Sequence, residues 1–142
     1  MGSILHNVDE DCYLLCIQPV CDCVRLKEAR VFVFVELTET DGTTSASHVV
    51  IRSDASPLEL QYSPKSYRCV TAGFSPNPEA QKILAKKGDD GKLTFEDADG
   101  KKYHWLDQLR TAHAQRAVEK FASDLSRVGL TESEWLRRLD RN

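Results

Sequence analysis

The chain has 142 residues, 41% hydrophobic and 29% charged, with a formal net charge of −3, which suits one globular domain large enough to bury a core without covalent staples. That balance excludes a general nucleic-acid coat, which needs a cationic footprint, and no stretch approaches the roughly 20 apolar residues of a membrane span. The opening MGSILHNVDEDC has neither the basic region nor the apolar run of a signal peptide, so the expected compartment is the cytoplasm.

In chain order, Met1-Gly2-Ser3 reads as the remnant an expression vector leaves, and the first expected strand runs from Cys12 to Gln18 (CYLLCIQ). Pro19, which cannot donate to a ladder, ends it. A tight segment, Val20-Cys21-Asp22-Cys23, leads into Val24-Arg25-Leu26. Val31 to Leu37 (VFVFVEL) is the strongest strand; its β-branched and aromatic residues fill both faces and require a central place with cover on each side. A polar turn or loop follows at Thr38 to Ser47.

Weaker strands are expected at His48–Arg52, Leu58–Tyr62 and Tyr67–Thr71, punctuated by Pro57 and Pro64. Glu79–Lys87 reads as a short helix or an edge strand. Leu93–Glu96 and Lys102–Trp105 read as a hairpin closed by Asp97-Ala98-Asp99-Gly100. Leu106, Leu109, Ala112/His113, Ala117, Phe121 and Leu125 then recur at helical spacing, which predicts one amphipathic helix from about 105 to 127, capped by Gly129. Thr131 and Glu134 form a capping box for a short final helix bearing Trp135 and Leu139.

The expected fold is therefore a single α+β domain over 1–142. Its body, 12–105, is an antiparallel, curved or barrel-like β-sheet; its tail, 106–142, is a long helix and a short capped helix. Residues 1–100 carry 10 Lys and Arg against 16 Asp and Glu, whereas 101–142 carry 9 against 6. A mildly basic tail follows an acidic body.

No convergent catalytic set stands out. The cysteines Cys12, Cys16, Cys21 and Cys23 have C-x3-C-x4-C-x-C spacing, unlike the paired spacing of structural zinc sites. On a strand, Cys12 and Cys16 stand about 13 Å apart, too far to share a metal, and small buried hydrophobes explain them more simply. No metal or other cofactor is expected. Cys21 or Cys23 as nucleophile needs a base, and His104 and His113 lie far along the chain. Asp22, Glu36 and Glu39 lack the companion lysine of a metal nuclease, and the seven glycines are scattered rather than gathered into a phosphate loop. The tail has a helix-turn-helix outline, but Glu132 and Glu134 would face phosphate. Asp22 and Arg25 read as a clasp across the turn after the first strand.

The stretch YLLCIQPVCDCVRL with the strand ending VFVEL, and the later YHWLDQLRTAHAQRAVEKFASDLSRVGLTESEWLRRL, resemble the region after the receiver portion of bacterial response-receiver-domain proteins. The resemblance implies an output or interaction part in bacterial signalling or phage defence, with a histidine-kinase-like ATPase or a receiver protein as partner. It transfers no active-site residue. Candidate partner-binding residues are Gln18, Asp22, Arg25, Arg127, Trp135 and Arg138. A weaker likeness, to small toxin-endoribonuclease barrels, implies nucleic-acid binding or RNA cleavage, with Asp22, Arg25 and Arg52 as the residues to test.

Overall fold

The computed structural model describes residues 1–40, 48–51, 56–62 and 68–126, with 48–51 described by backbone alone. Nine strands are found among them: β1 Ser3–Asn7, β2 Cys12–Cys16, β3 Arg30–Glu39, β4 His48–Ile51, β5 Leu58–Tyr62, β6 Cys69–Phe74, β7 Lys86–Lys87, β8 Leu93–Glu96 and β9 Lys102–Gln108. A 3-10 helical turn spans Val20–Cys23, and helix α1 spans Thr111–Leu125. All paired strands run antiparallel, in the order β4-β5-β3-β2-β1-β9-β8-β7, with β6 added on β3. The mixed α+β class and the antiparallel sheet match the sequence reading. The ladder path is open rather than closed into a barrel.

β3 organises this sheet. Its Phe34 to Leu37 pair with β2 on one edge, while on the other edge β6 takes Arg30 to Val35 and β5 takes Leu37 to Glu39, end to end. Alternation then sorts its side chains between two cores. Phe32 and Phe34 join Leu5, Leu14, Cys16, Leu26, Ala72, Phe74 and Tyr103 on one face. Val35 and Leu37 join Ile4, Leu15, Leu60, Tyr62 and Phe121 on the other. The central, doubly covered strand expected at Val31–Leu37 is present, although Val31 at its start is 57% exposed.

Phe74 holds the first core together. Its ring meets Phe32, Phe34, Phe95 and Tyr103 at centroid separations of 5.7, 6.4, 6.4 and 5.6 Å, all tilted toward edge-on, the arrangement that ring quadrupoles favour. β6 and the β8–β9 hairpin are not neighbours in the ladder, so these contacts, with Ala98 N donating to Gly73 O at 2.8 Å, curl the sheet on itself. The hairpin turn is held by Asp97, whose carboxylate accepts the Asp99 and Lys101 amides at 2.9 Å and the Tyr103 hydroxyl at 2.8 Å.

α1 covers the other face through Ala114, Ala117 and Phe121, the last edge-on to Tyr62 at 5.9 Å. The helix begins at Thr111, not near 105 as the apolar spacing predicts, because β9 continues to Gln108 along β1. A bulge there skips Leu106, sending Trp105 to the Phe74 core and Leu106 to the helix core. His113 and Leu125, placed on the buried stripe by the sequence, are exposed.

β1 was absent from the sequence reading, as was any structural part for residues 1–3. Gly2 N donates to Cys16 O at 2.7 Å, and its carbonyl accepts Leu109 N at 2.9 Å. A Cβ on Gly2 would stand 2.8 Å from Ala114 Cβ, and its φ of +89° already favours glycine. Glu79–Lys87 proves to be turn and edge strand rather than helix. The expected Gly129 cap and the short capped helix with Trp135 lie outside the described residues.

Truncating Phe74 to Ala removes the ring that all four neighbours share and should cost about 3–5 kcal/mol, read as a drop in the denaturant midpoint. At high pH a second weakness is expected. Tyr13 donates to Glu39 Oε1 at 2.9 Å, and burial, then that hydrogen bond, pushes its phenol up to about 12. A raised phenol means the fold favours the neutral form, so its contribution is intact below the unfolded value of about 10 and lost as pH climbs through 12. Melting temperature should fall across that window, and Tyr13→Phe should make the fall shallower.

Candidate functional site

Curling leaves a cavity of about 240 Å³ on the Phe74 face. Its floor consists of the buried Leu5, Cys16, Phe32, Phe34 and Phe74. Its rim adds the half-buried Met1, Ser3, Cys23, Ile83 and Phe95 and the exposed Lys82. Five segments of chain contribute aromatic or aliphatic walls, and the polar groups gather at the mouth.

Two backbone clips shape that mouth. Ile17 N donates to Val33 O at 3.1 Å, extending the β2–β3 ladder to Pro19 and the 3-10 turn. Within the turn, Gln18 Nε2 donates to Asp22 Oδ2 at 3.2 Å, Asp22 N to Pro19 O at 3.1 Å, and Arg30 Nη1 to Asp22 O at 3.5 Å. Opposite, Asn77 Oδ1 accepts the Glu79 and Ala80 amides, Gln81 N donates to Asn77 O, and Asn77 N donates to Lys82 O. Leu26 N to Gln81 O at 2.9 Å joins the two sides. Arg25 and Gln81, which flank this joint, have φ of +56° and +52°, a conformation that strains L-residues.

Of the candidate partner-binding residues, Gln18 and Asp22 are brought together. Arg25 is not: the Asp22 carboxylate takes Gln18, and the chain reverses at Arg25 to reach Gln81, so no Asp22–Arg25 ion pair forms among the described residues. Arg127, Trp135, Arg138 and Arg52 lie outside the described residues. Val20 and Val24, which the sequence reading left aside, stand 57% and 43% exposed on either side of Asp22.

Thiol and carboxylate chemistry find little support in this geometry. Burial foremost pushes the Cys23 thiol up, and its Sγ donates to Pro19 O at 3.2 Å, so it stays protonated at neutral pH. His104 is engaged with Thr94 Oγ1 at 2.9 Å on the β8–β9 hairpin. Glu36 is paired with Arg68 and Glu39 with Tyr13. Arg30 touches Asp22 at the start of β3, and Glu36 and Glu39 lie roughly 20 and 30 Å along that strand, so the three acids do not converge. The cysteines are all free; Cys16 is buried, Cys12, Cys23 and Cys69 are half-buried, and Cys21 is exposed. Among the described residues no three His, Cys, Asp or Glu side chains group to hold a metal, and no helix is long and apolar enough to cross a membrane.

No family model, curated protein or solved structure matches this chain. The cavity escapes sequence reading because Phe32, Phe34, Phe74 and Phe95 meet only once the sheet curls. The even-numbered spacing of Phe32 and Phe34 is the one local sign of a shared face.

If the mouth is held against its own backbone preference, Arg25→Gly and Gln81→Gly should each stabilise the fold by up to about 1 kcal/mol. Chemical denaturation of each variant measures it.

Proposed function

We propose that the chain is a regulatory, protein-interaction module rather than an enzyme, and that its partner docks on the 18–26 turn. The observation that carries this is the pair of exposed valines, Val20 and Val24, on a turn pinned by the Gln18–Asp22 and Arg30–Asp22 hydrogen bonds. Interfaces concentrate their energy in apolar anchors presented without entropic loss, inside a polar rim. Here Gln18, Asp22 and Arg25 supply that rim, and Arg127, Trp135 and Arg138 are the tail's part of the proposal. A role in bacterial signalling or phage defence, with a histidine-kinase-like ATPase or receiver protein as partner, rests on the resemblance of the 13–37 and 103–139 stretches. A cytoplasmic setting accords with five free thiols.

Val20→Asp combined with Val24→Asp should weaken affinity for a histidine-kinase-like ATPase or receiver protein at least about tenfold, about 1.4 kcal/mol, with the melting temperature unchanged. Equal affinity would overturn the proposal. The competing reading, a nucleic-acid binder or RNA-cleaving domain, is checked with labelled RNA and duplex DNA, with and without Mg²⁺. Cleavage lost in Asp22→Ala, or binding that weakens steeply with salt, would put that reading first.

A further inference from the structure

The valine turn leaves the cavity beside it unused. Its floor is wholly apolar but for the Cys16 thiol, and of the residues lining it Lys82 alone bears a charged side chain. Among the described residues neither the Lys82 ammonium nor the Arg25 guanidinium has a hydrogen-bond or ion-pair partner. The Leu26–Gln81 hydrogen bond sets Arg25 and Lys82 next to each other in the fold, one residue before it and one after it. The mouth thus carries one cation, Lys82, above an aromatic interior; no carboxylate lines it, and Asp22 on the adjoining turn is engaged by Gln18.

Volume limits the occupant. A cavity of about 150 Å³ takes one benzene, so about 240 Å³ takes about ten non-hydrogen atoms. An apolar body of that size meets ring faces and edges on every side; a neutral head would leave Lys82 idle, and a cationic head would be repelled. From this geometry we infer that the cavity binds a small amphiphilic monocarboxylate. Its chain or ring lies on Phe32, Phe34 and Phe74, and its carboxylate sits at the mouth against Lys82. The site adjoins the proposed docking turn through Cys23, but Val20 and Val24 do not line it.

Octanoate has the right size and charge, and octanamide is its neutral twin. Titrating the full chain with each, followed by amide NMR shifts, should show saturable octanoate binding with octanamide about tenfold weaker, the scale of one charge-assisted contact. Lys82→Ala, an exposed change, should weaken octanoate about tenfold and leave octanamide where it was. Cys23→Trp and Ile83→Trp, which fill the rim, should lose both probes.

Absent saturation, equal binding of the two probes by the unmodified chain, or octanoate binding that persists in a tryptophan variant of unchanged melting temperature would each overturn the inference. Equal binding of charged and neutral probes is also what a pocket for a partner's apolar side chain would give. Should one tryptophan variant fail to fold, the other and Lys82→Ala still decide. Loss of octanoate binding with partner affinity intact separates this inference from the docking turn.

Discussion

The curl of the sheet depends on one aromatic ring. Hydrogen bonding alone would leave β6 as a side branch of β3 and the β8–β9 hairpin at the far end of the ladder. Phe74 joins them because edge-to-face contacts with rings from β3, β8 and β9 bury its surface completely enough to leave 3% exposed. The single backbone bond from Ala98 to Gly73 adds direction to that contact. From this closure follow the cavity, the covered face of β3, and the approach of the 77–82 turn to the 18–26 turn.

What local chemistry decides was legible in the sequence. The β8–β9 hairpin was, because Asp97 and Gly100 satisfy the turn from within, and Gly100 takes the positive φ the turn requires. Leu58–Tyr62 agrees with its strand limits. Where a distant strand decides, residue spacing misleads. Trp105, Leu106 and Leu109 fit a helical period, yet β1 captures Trp105 into a ladder, and the bulge at Leu106 lets a strand mimic that period. β1 itself is five residues with no clean alternation, since Ile4 and Leu5 are each buried, on opposite faces. The candidate site divides likewise: the Gln18–Asp22 contact is four residues long and was within reach, whereas the cavity is assembled from six segments and was not.

The character of the site follows from where polarity is spent. The body's carboxylates are engaged in turns and pairs, as with Asp97 in its hairpin, Glu36 with Arg68 and Glu10 with Lys101. The Cys23 thiol at the cavity rim is pushed up by burial and donates to a carbonyl. Val20 and Val24 are exposed on the 18–26 turn, and among the described residues the neighbouring Arg25 and Lys82 have no ion-pair partner.

The pairing of β1 with β9 has a consequence for how the chain is made. Ser3 lies against Gln108, 105 residues away, so β1 cannot complete its ladder until residue 108 has emerged. Until then β1 offers one bare edge, with β2 alone beside Ile4 and Leu5. Non-local closure of this kind slows folding and exposes an unpaired strand to other nascent chains. Gly2, tied to Cys16 on one side and Leu109 on the other, joins the early part of the chain to the late one.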